Sequence, residues 1–256
     1  MNIFVCIKQV PDTEAALIVK EGKSISEDNI KWIVNPYDEY AIEEALKLKS
    51  SIAGSTLTVL TLGPKRAEAV LRTGLAMGAD LAVHIENDEY LDPKTIGKAL
   101  AGAIKKTDDF AVVFMGKQGI DNDSFMVHTY TAEYLNVGVA TNVTAFEYKD
   151  DKILVEREID NGAKDKIEMS SPCIIGATKG LNSPRYPSLM GMMKAKKKPI
   201  TKLTLKDVGV IIDNKLIPEK LYSPAEKIKE AKIFEGDLEN SVKELVNLLK
   251  NEAKVL

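Results

Sequence analysis

The chain has 256 residues, 45% of them apolar, which is enough to bury a full core in one large domain with an appendage. Its 35 basic and 38 acidic residues leave a net charge of −3, which excludes a general pull toward nucleic acid or an anionic membrane surface. The two cysteines and two histidines are isolated, no combination of them has metal-site spacing, and no metal is assigned.

Residues 2–10 (NIFVCIKQV) read as a strand that begins at once, with no basic and apolar leader. No apolar run approaches the ~20 residues that a bilayer requires, so the expected location is cytoplasmic. Cys6 and Cys173 each fall inside a predicted strand, as buried thiols of a reducing compartment do. Pro11, Asp12 and Thr13 then turn the chain at the carboxyl end of the first strand, where open α/β proteins place ligands. Residues 15–34 alternate around Gly22 and Asn29, the pattern of an excursion with short antiparallel strands.

Asn35, Pro36 and Tyr37 break the chain before a helix with Asp38 as its N-cap and Ala41, Ile42, Ala45, Leu46 and Lys49 at helical spacing. Glu43 and Lys47 are expected to pair on the outer face of that helix. Residues 56–62 (TLTVLTL) form a second core strand, Gly63-Pro64 ends it, and a helix over 65–77 stops at Gly78. Residues 81–86 give a third strand, and Pro93 opens a helix that runs to about residue 106.

Residues 110–115 (FAVVFM) have the length and β-branched content of a buried parallel strand ending at Gly116. From Gly119 onward, Asp121, Asn122, Asp123 and Ser124 form a cluster of N-cap residues ahead of Phe125, Val127, Ala132 and Leu135, which suit a helix. In an open parallel sheet, a strand, a glycine-bearing turn and a helix start offer unpaired N–H groups and the positive end of a helix dipole to an anion, most often a phosphate. An ordinary βα connection with a capping cluster fits this stretch equally well. The glycines do not form GxGxxG, and there is no GxxxxGK[ST], so a dinucleotide-type Rossmann site or a P-loop is unsupported.

Past residue 135, residues 142–148, 152–159 and 164–169 alternate polar with apolar and are separated by Asp150-Asp151 and Asn161-Gly162, two hairpin turns of an antiparallel meander. Residues 171–178 (SPCIIGAT) return as a buried strand. Residues 181–198 hold two prolines, Arg185-Tyr186, then Leu189, Met190, Met192 and Met193 around Gly191, and the basic run KAKKK. Gly191 and the prolines argue against a regular helix, and an apolar, Met-rich patch beside lysines is what a partner-recognition loop looks like. A loop packed on its own sheet with solvated lysines is the alternative. A link to residue 224, a short helical piece to about residue 234 and a helix over 237–254 complete the chain, the last with Leu238, Val242, Leu245, Val246 and Leu249 as its apolar stripe and Asp237 as N-cap. The fold class is α/β: an open, mainly parallel sheet with helices on both faces, an antiparallel meander and an extended C-terminal segment. The expected division is a nucleotide-binding domain over 1–200 and an extension over 201–256.

Six stretches in order carry a family resemblance: VCIKQVPD (5–12), NPYDEYAIEEALKLK (35–49), GLAMGAD (74–80), GKQGIDNDS (116–124), VEREID (155–160) and LNSPRYPSLMGMMKAKKK (181–198). Together they resemble the electron transfer flavoprotein β subunit, with Asn161 standing where an acidic residue or glycine is usual and only a loose match after residue 208. The resemblance implies an electron carrier, not an enzyme: it pairs with an α subunit bearing FAD, holds AMP as a structural cofactor, and docks on acyl-CoA dehydrogenases or similar flavoenzymes to pass electrons toward the respiratory chain. It implies no catalytic residues. The implied cofactor-binding set is Cys6, Asn35, Pro36, Tyr37, Asp38 and Leu62, with Gly116, Lys117, Gln118, Gly119, Ile120, Asp121, Asn122, Asp123, Ser124, Phe125, Met126 and Val127 around the phosphate. The implied docking set is Pro184, Arg185, Tyr186, Leu189, Met190, Met193 and Lys194, and the C-terminal segment is implied to pack on the partner subunit.

Two rivals stand beside this reading. One is the electron-bifurcating branch of the same family, which binds a second FAD in place of AMP and uses NADH; Val127, where the AMP type has a hydroxyl, points toward it, whereas KAKKK and Leu189 point back to the AMP-type carriers. The other is a nucleotide-binding regulatory module without electron transfer, which leaves residues 181–198 without a role.

Overall fold

A computed structural model of the protein describes residues 1–107, 109–150, 152–223 and 231–256. Met1–Lys220 form one compact unit and Leu221–Leu256 a second. In the first unit the chain runs β1 (Asn2–Cys6), β2 (Gln9–Pro11), β3 (Val19–Lys20), β4 (Ser24–Ile25), β5 (Trp32–Val34), α1 (Pro36–Ser51), β6 (Thr56–Gly63), α2 (Glu68–Met77), β7 (Leu81–Glu86), α3 (Pro93–Ile104), β8 (Val112–Gly116) and α4 (Val127–Leu135). It continues through β9 (Gly138–Lys149), β10 (Lys152–Glu158), β11 (Lys164–Ser170), β12 (Cys173–Ala177), α5 (Leu189–Lys197) and β13 (Thr201–Leu203).

Nine strands form one sheet in the order β11-β10-β9-β12-β8-β1-β6-β7-β13. The pairs from β9 through β13 are parallel, and only β10 runs antiparallel to its neighbours β9 and β11. The expected open, mainly parallel sheet with a meander is therefore the observed one. Alternation along β1 puts Ile3 and Val5 in a core with Ala41, Ile42, Val70 and Leu71 of α1 and α2. Phe4 and Cys6 point the other way, into a core with Ala99, Leu100, Ala132 and Leu135 of α3 and α4. Helices thus cover both faces. The chain moves from β1 outward through β6 and β7, then crosses back to place β8 on the other side of β1, so the direction of winding reverses between β1 and β8. A crevice opens at the carboxyl ends of two strands with such a reversal.

The excursion after β1 is a pair of short antiparallel ribbons, β2 with β5 and β3 with β4. The 56–62 and 81–86 strands appear where expected, and Gly78 closes α2 at φ 133°, a conformation that glycine adopts readily. In the meander, Asn161 (φ 61°) and Gly162 (φ 73°) both take left-handed backbone at the second turn. Asp150 does the same at the first, while Asp151 lies outside the described residues.

Several local expectations are corrected. Asp38 is not the N-cap of its helix. Asn35 occupies that position, Pro36 opens α1, and Asp38 lies within the first turn. Glu43 and Lys47 do not pair on an outer face: Glu43 is buried and bonded to Arg185, and Lys47 reaches Glu44 at 3.4 Å. Residues 121–124 do not cap α4, because Asp123 (φ 49°) and Phe125 (φ 54°) keep the chain turning and the helix starts only at Val127. The Met-rich stretch is a helix, α5, capped by Ser188 accepting from the N–H of Gly191 at 3.0 Å. Gly191 does not break it but lets it approach α2, since a Cβ there would sit 2.3 Å from the carbonyl oxygen of Ala76. The 201–224 link contributes β13 to the sheet edge and buries Val208 and Val210 in the core of the α3–α4 face.

The second unit holds α6 (Leu238–Asn251), with Asp237 as the expected N-cap accepting from Asn240 N at 3.0 Å. Its stripe residues Leu238, Val242, Leu245 and Val246 are exposed. The helical piece expected before residue 234 falls largely on residues 224–230, outside the described residues. Among the described residues, no helix is long and apolar enough to cross a membrane.

Candidate functional site

A cavity of about 300 Å³ lies at the reversal point, walled by the ends of β1, β6 and β8, the start of α3, and the loop leading into α4. It falls at the lower end of the size range for small-molecule sites. One wall is apolar: Cys6, Leu62, Leu91, Ile96, Leu100 and Met115. The other is the loop from Gly116 to Gly119 and the stretch from Ser124 into the first residues of α4. The N-terminus of α4 has no side-chain cap, so its first-turn N–H groups are available to an anion in the cavity.

Asn35 and Asp38 build the frame. Asn35, fully buried, donates from Nδ2 to Gln118 O (2.9 Å) and to Asp38 Oδ1 (3.0 Å), and its Oδ1 accepts from Ile120 N (3.1 Å). Asp38 accepts from Lys8 N at 2.6 Å, just past the end of β1, and from Gly116 N at 3.0 Å, at the end of β8. One carboxylate therefore ties together the two strands between which the winding reverses. Burial pushes the Asp38 carboxyl up to about 7, against the opposing pull of Asn35, the Lys8 and Gly116 N–H groups and the Lys8 charge. The side chains of both residues are occupied by protein partners, so they shape the cavity more than they reach into it.

Of the residues singled out in sequence, Cys6, Asn35, Asp38, Leu62, Gly116, Lys117, Gln118, Gly119, Asn122, Ser124, Phe125, Met126 and Val127 line the cavity. Pro36, Tyr37, Ile120, Asp121 and Asp123 stand behind it. Tyr37 and Phe125 flank the Lys117 ammonium at 4.9 and 5.3 Å from their ring centres. Asp121 pairs with Lys8 at 2.6 Å, and Asp123 accepts from Gln118 Nε2. The sequence reading missed Ile7, Lys8, Tyr90, Leu91, Pro93, Ile96, Leu100, Met115, His128 and Leu216. The turn expected to face a ligand, Pro11 to Thr13, does not line the cavity, because β1 already ends at Cys6 and the chain meets the cavity at Ile7 and Lys8. Burial holds His128 below the usual histidine range, offset in part by the Lys117 carbonyl. Burial, reinforced by the Asp38 charge, pushes the Cys6 thiol far above its ordinary value, so it is no nucleophile.

The electron transfer flavoprotein domain family matches residues 23–208 of the chain. Over its full length the chain is 40% identical to the electron transfer flavoprotein subunit beta of Bacillus subtilis, covering 100% of both chains. The chain belongs to the electron transfer flavoprotein β-subunit family. It is 36% identical to the mitochondrial electron transfer flavoprotein subunit beta of Arabidopsis thaliana, again over 100% of each chain. It is also 36% identical to the caffeyl-CoA reductase-Etf complex subunit CarD of Acetobacterium woodii, over 82% of this chain and 80% of that one. Its role is electron transfer and not catalysis of a chemical step.

As a member of the electron transfer flavoprotein family, the chain carries a second feature outside the cavity. The segment from Asn182 to Ser188 is fastened to α1: Asn182 Nδ2 donates to Tyr40 O (2.9 Å) and Glu44 (2.8 Å). Arg185 forms a two-pronged pair with Glu43, both prongs at 2.8 Å. Burial alone would raise the Glu43 carboxyl, but Arg185 holds it below the usual carboxylate range. Arg72 caps the other end of α5 by donating to Ala195 O (2.6 Å) and Lys198 O (2.5 Å), and Lys198 Nζ donates to Ala79 O at 2.6 Å. Of the basic run, Lys198 is therefore held internally, and Lys194, Lys196 and Lys197 are exposed. Held at both ends, α5 exposes Leu189 (78%), Met190 and Met193 beside Tyr186 (95%).

Proposed function

We propose that this chain is the β subunit of a heterodimer whose α subunit carries the redox-active FAD. In this reading it holds AMP as a structural cofactor and docks through α5 on acyl-CoA dehydrogenase-type flavoenzymes in the cytoplasm, passing their electrons toward the respiratory chain. The observation that carries the reading is the cavity itself, small and lined on one side by apolar residues that suit an adenine and on the other by an uncapped helix start that suits one phosphate. The bifurcating alternative, with a second FAD and NADH as donor, is supported by the apolar Val127 at the helix start and by the likeness to CarD. The exposed stripe of α6 supports the C-terminal segment as the part that packs on the α subunit.

In the docking role, Leu189 is the anchor, with Pro184, Tyr186, Met190, Met193 and Lys194 around it and Arg185 fixing the segment from behind. Burying one leucine side chain contributes roughly 1.5–3 kcal/mol, so Leu189→Ala should weaken the complex by about one to two decades while melting and nucleotide content stay unchanged. Replacing Lys194, Lys196 and Lys197 should instead slow association and reduce its salt dependence. Flavin reduction by a matched dehydrogenase, followed against carrier concentration, separates the two classes. An unchanged concentration dependence for Leu189→Ala would remove the docking role.

A further inference from the structure

Away from the cavity, the carboxyl ends of β6 and β7 bring together three groups that no local motif connects. His84 and Glu86 stand two apart on one face of β7, and Glu68 opens α2 just after β6. One ligand atom from each lies within 4.8 Å of the others. The His84 side chain is fully buried, and its Nε2 lies 2.9 Å from Gly63 O. That carbonyl can only accept, so Nε2 is the donor there and Nδ1 is the ring atom left to face the carboxylates. Nδ1 has no hydrogen-bond partner among the described residues, and Glu68 Oε1 lies 4.0 Å from it. A buried ring nitrogen without a partner, beside two carboxylates, is a donor set that a cation completes.

Lys202, opposite His84 in the β13–β7 register, supplies part of the answer. Its ammonium is 2.6 Å from Glu68 Oε1 and 3.8 Å from Glu86 Oε2, and it leaves Nδ1 unmatched. We propose that His84 Nδ1, Glu68 and Glu86 form a binding site for a borderline-soft divalent ion of the zinc type, for which the Lys202 ammonium competes. One nitrogen and two carboxylate ligands with an open position suit zinc, and a ligating imidazole that donates its other N–H to a backbone carbonyl is the usual support for such a ligand. His84 is fixed by Gly63, whereas Glu68 and Glu86 are partly exposed and can rotate inward to close the shell. The charge balances as well: zinc neutralises the two carboxylates, and the displaced Lys202, half exposed, turns to solvent.

Zinc chloride offered by equilibrium dialysis to the chelator-treated complex of this chain with its α subunit, followed by elemental analysis, tests the site. The expected result is one zinc per complex. Lys202→Met should bind about two- to fivefold more tightly, the equivalent of removing a partly exposed ion pair. Glu86→Gln, at a partly exposed position where folding is not at stake, should weaken binding at least about tenfold, and His84→Ala should abolish it. Magnesium in excess should not displace the zinc, because it has no preference for a nitrogen ligand. Absence of bound zinc in both the parent and Lys202→Met overturns the proposal. So does full retention by His84→Ala, or displacement by magnesium.

Discussion

Gly116→Ala should strip the nucleotide from this protein, because no other glycine at the cavity has so little room. A Cβ there would lie 2.2 Å from Asp38 Oδ1 and 2.8 and 2.9 Å from Cβ and C of Tyr37, all in the first turn of α1. The end of β8 would have to move off α1, breaking the bond from Gly116 N to Asp38 and opening the strand pair that forms the cavity floor. Overpacking plus a lost buried bond should cost about 3 kcal/mol, or a melting midpoint lower by roughly 6–12 °C for a chain of this size. Gly119→Val is the milder comparison: a Cβ there meets Asp121 Oδ1 at 2.6 Å and the Lys8 side chain beyond 3 Å, both ends of side chains that can swing away. Nucleotide content and thermal melting of the two variants check the order. A Gly116→Ala protein with its full nucleotide and an unchanged midpoint would show that the cavity floor has been misjudged.

The second large effect is expected at Asp38. Asp38→Ala leaves the N–H groups of Lys8 and Gly116 and the amide of Asn35 without their shared acceptor. A buried orphan donor costs about 1–3 kcal/mol, so a total loss of about 3 kcal/mol or more is expected by urea unfolding, with loss of bound nucleotide. The pH dependence carries its own sign. With the folded carboxyl pushed up by burial to about 7 from an ordinary 3.8, the folded chain holds a proton between those values that the unfolded chain has released. This contribution to stability is greatest on the acid side and is lost as pH rises toward about 7. The stability difference between parent and Asp38→Ala should therefore shrink as pH rises over that window and level off above it. A difference that does not vary with pH would mean that the three donors hold Asp38 ionised throughout.

The sheet was legible in sequence because its strands carry their own signals. TLTVLTL and LAVHIE are short stretches rich in β-branched and apolar residues and bounded by turns, the composition that a strand of a largely buried sheet requires. What the sequence hid was set by distant packing. Gly191 looks like a helix breaker until the carbonyl of Ala76 is known to lie against it. Asp38 looks like a cap because it follows an Asn-Pro pair, yet its carboxyl oxygens serve strands that are remote in sequence. The loop after Gly116 stood out in sequence by its glycines and polar cluster and does line the cavity, but the apolar wall facing it comes from α3 and its approach, where Leu91, Ile96 and Leu100 repeat as any core-facing residues would. The grouping of Glu68, His84 and Glu86 is invisible to a search for cysteine and histidine spacing, since the β6–β7 pairing creates it.

Releasing the bound nucleotide from the heterodimer purified with its α subunit, and identifying and counting it, tests the central claim most directly. The account predicts one AMP for each β chain beside a single FAD for the whole heterodimer. Two FAD per heterodimer with no AMP, or a cavity that yields no nucleotide at all, would contradict it.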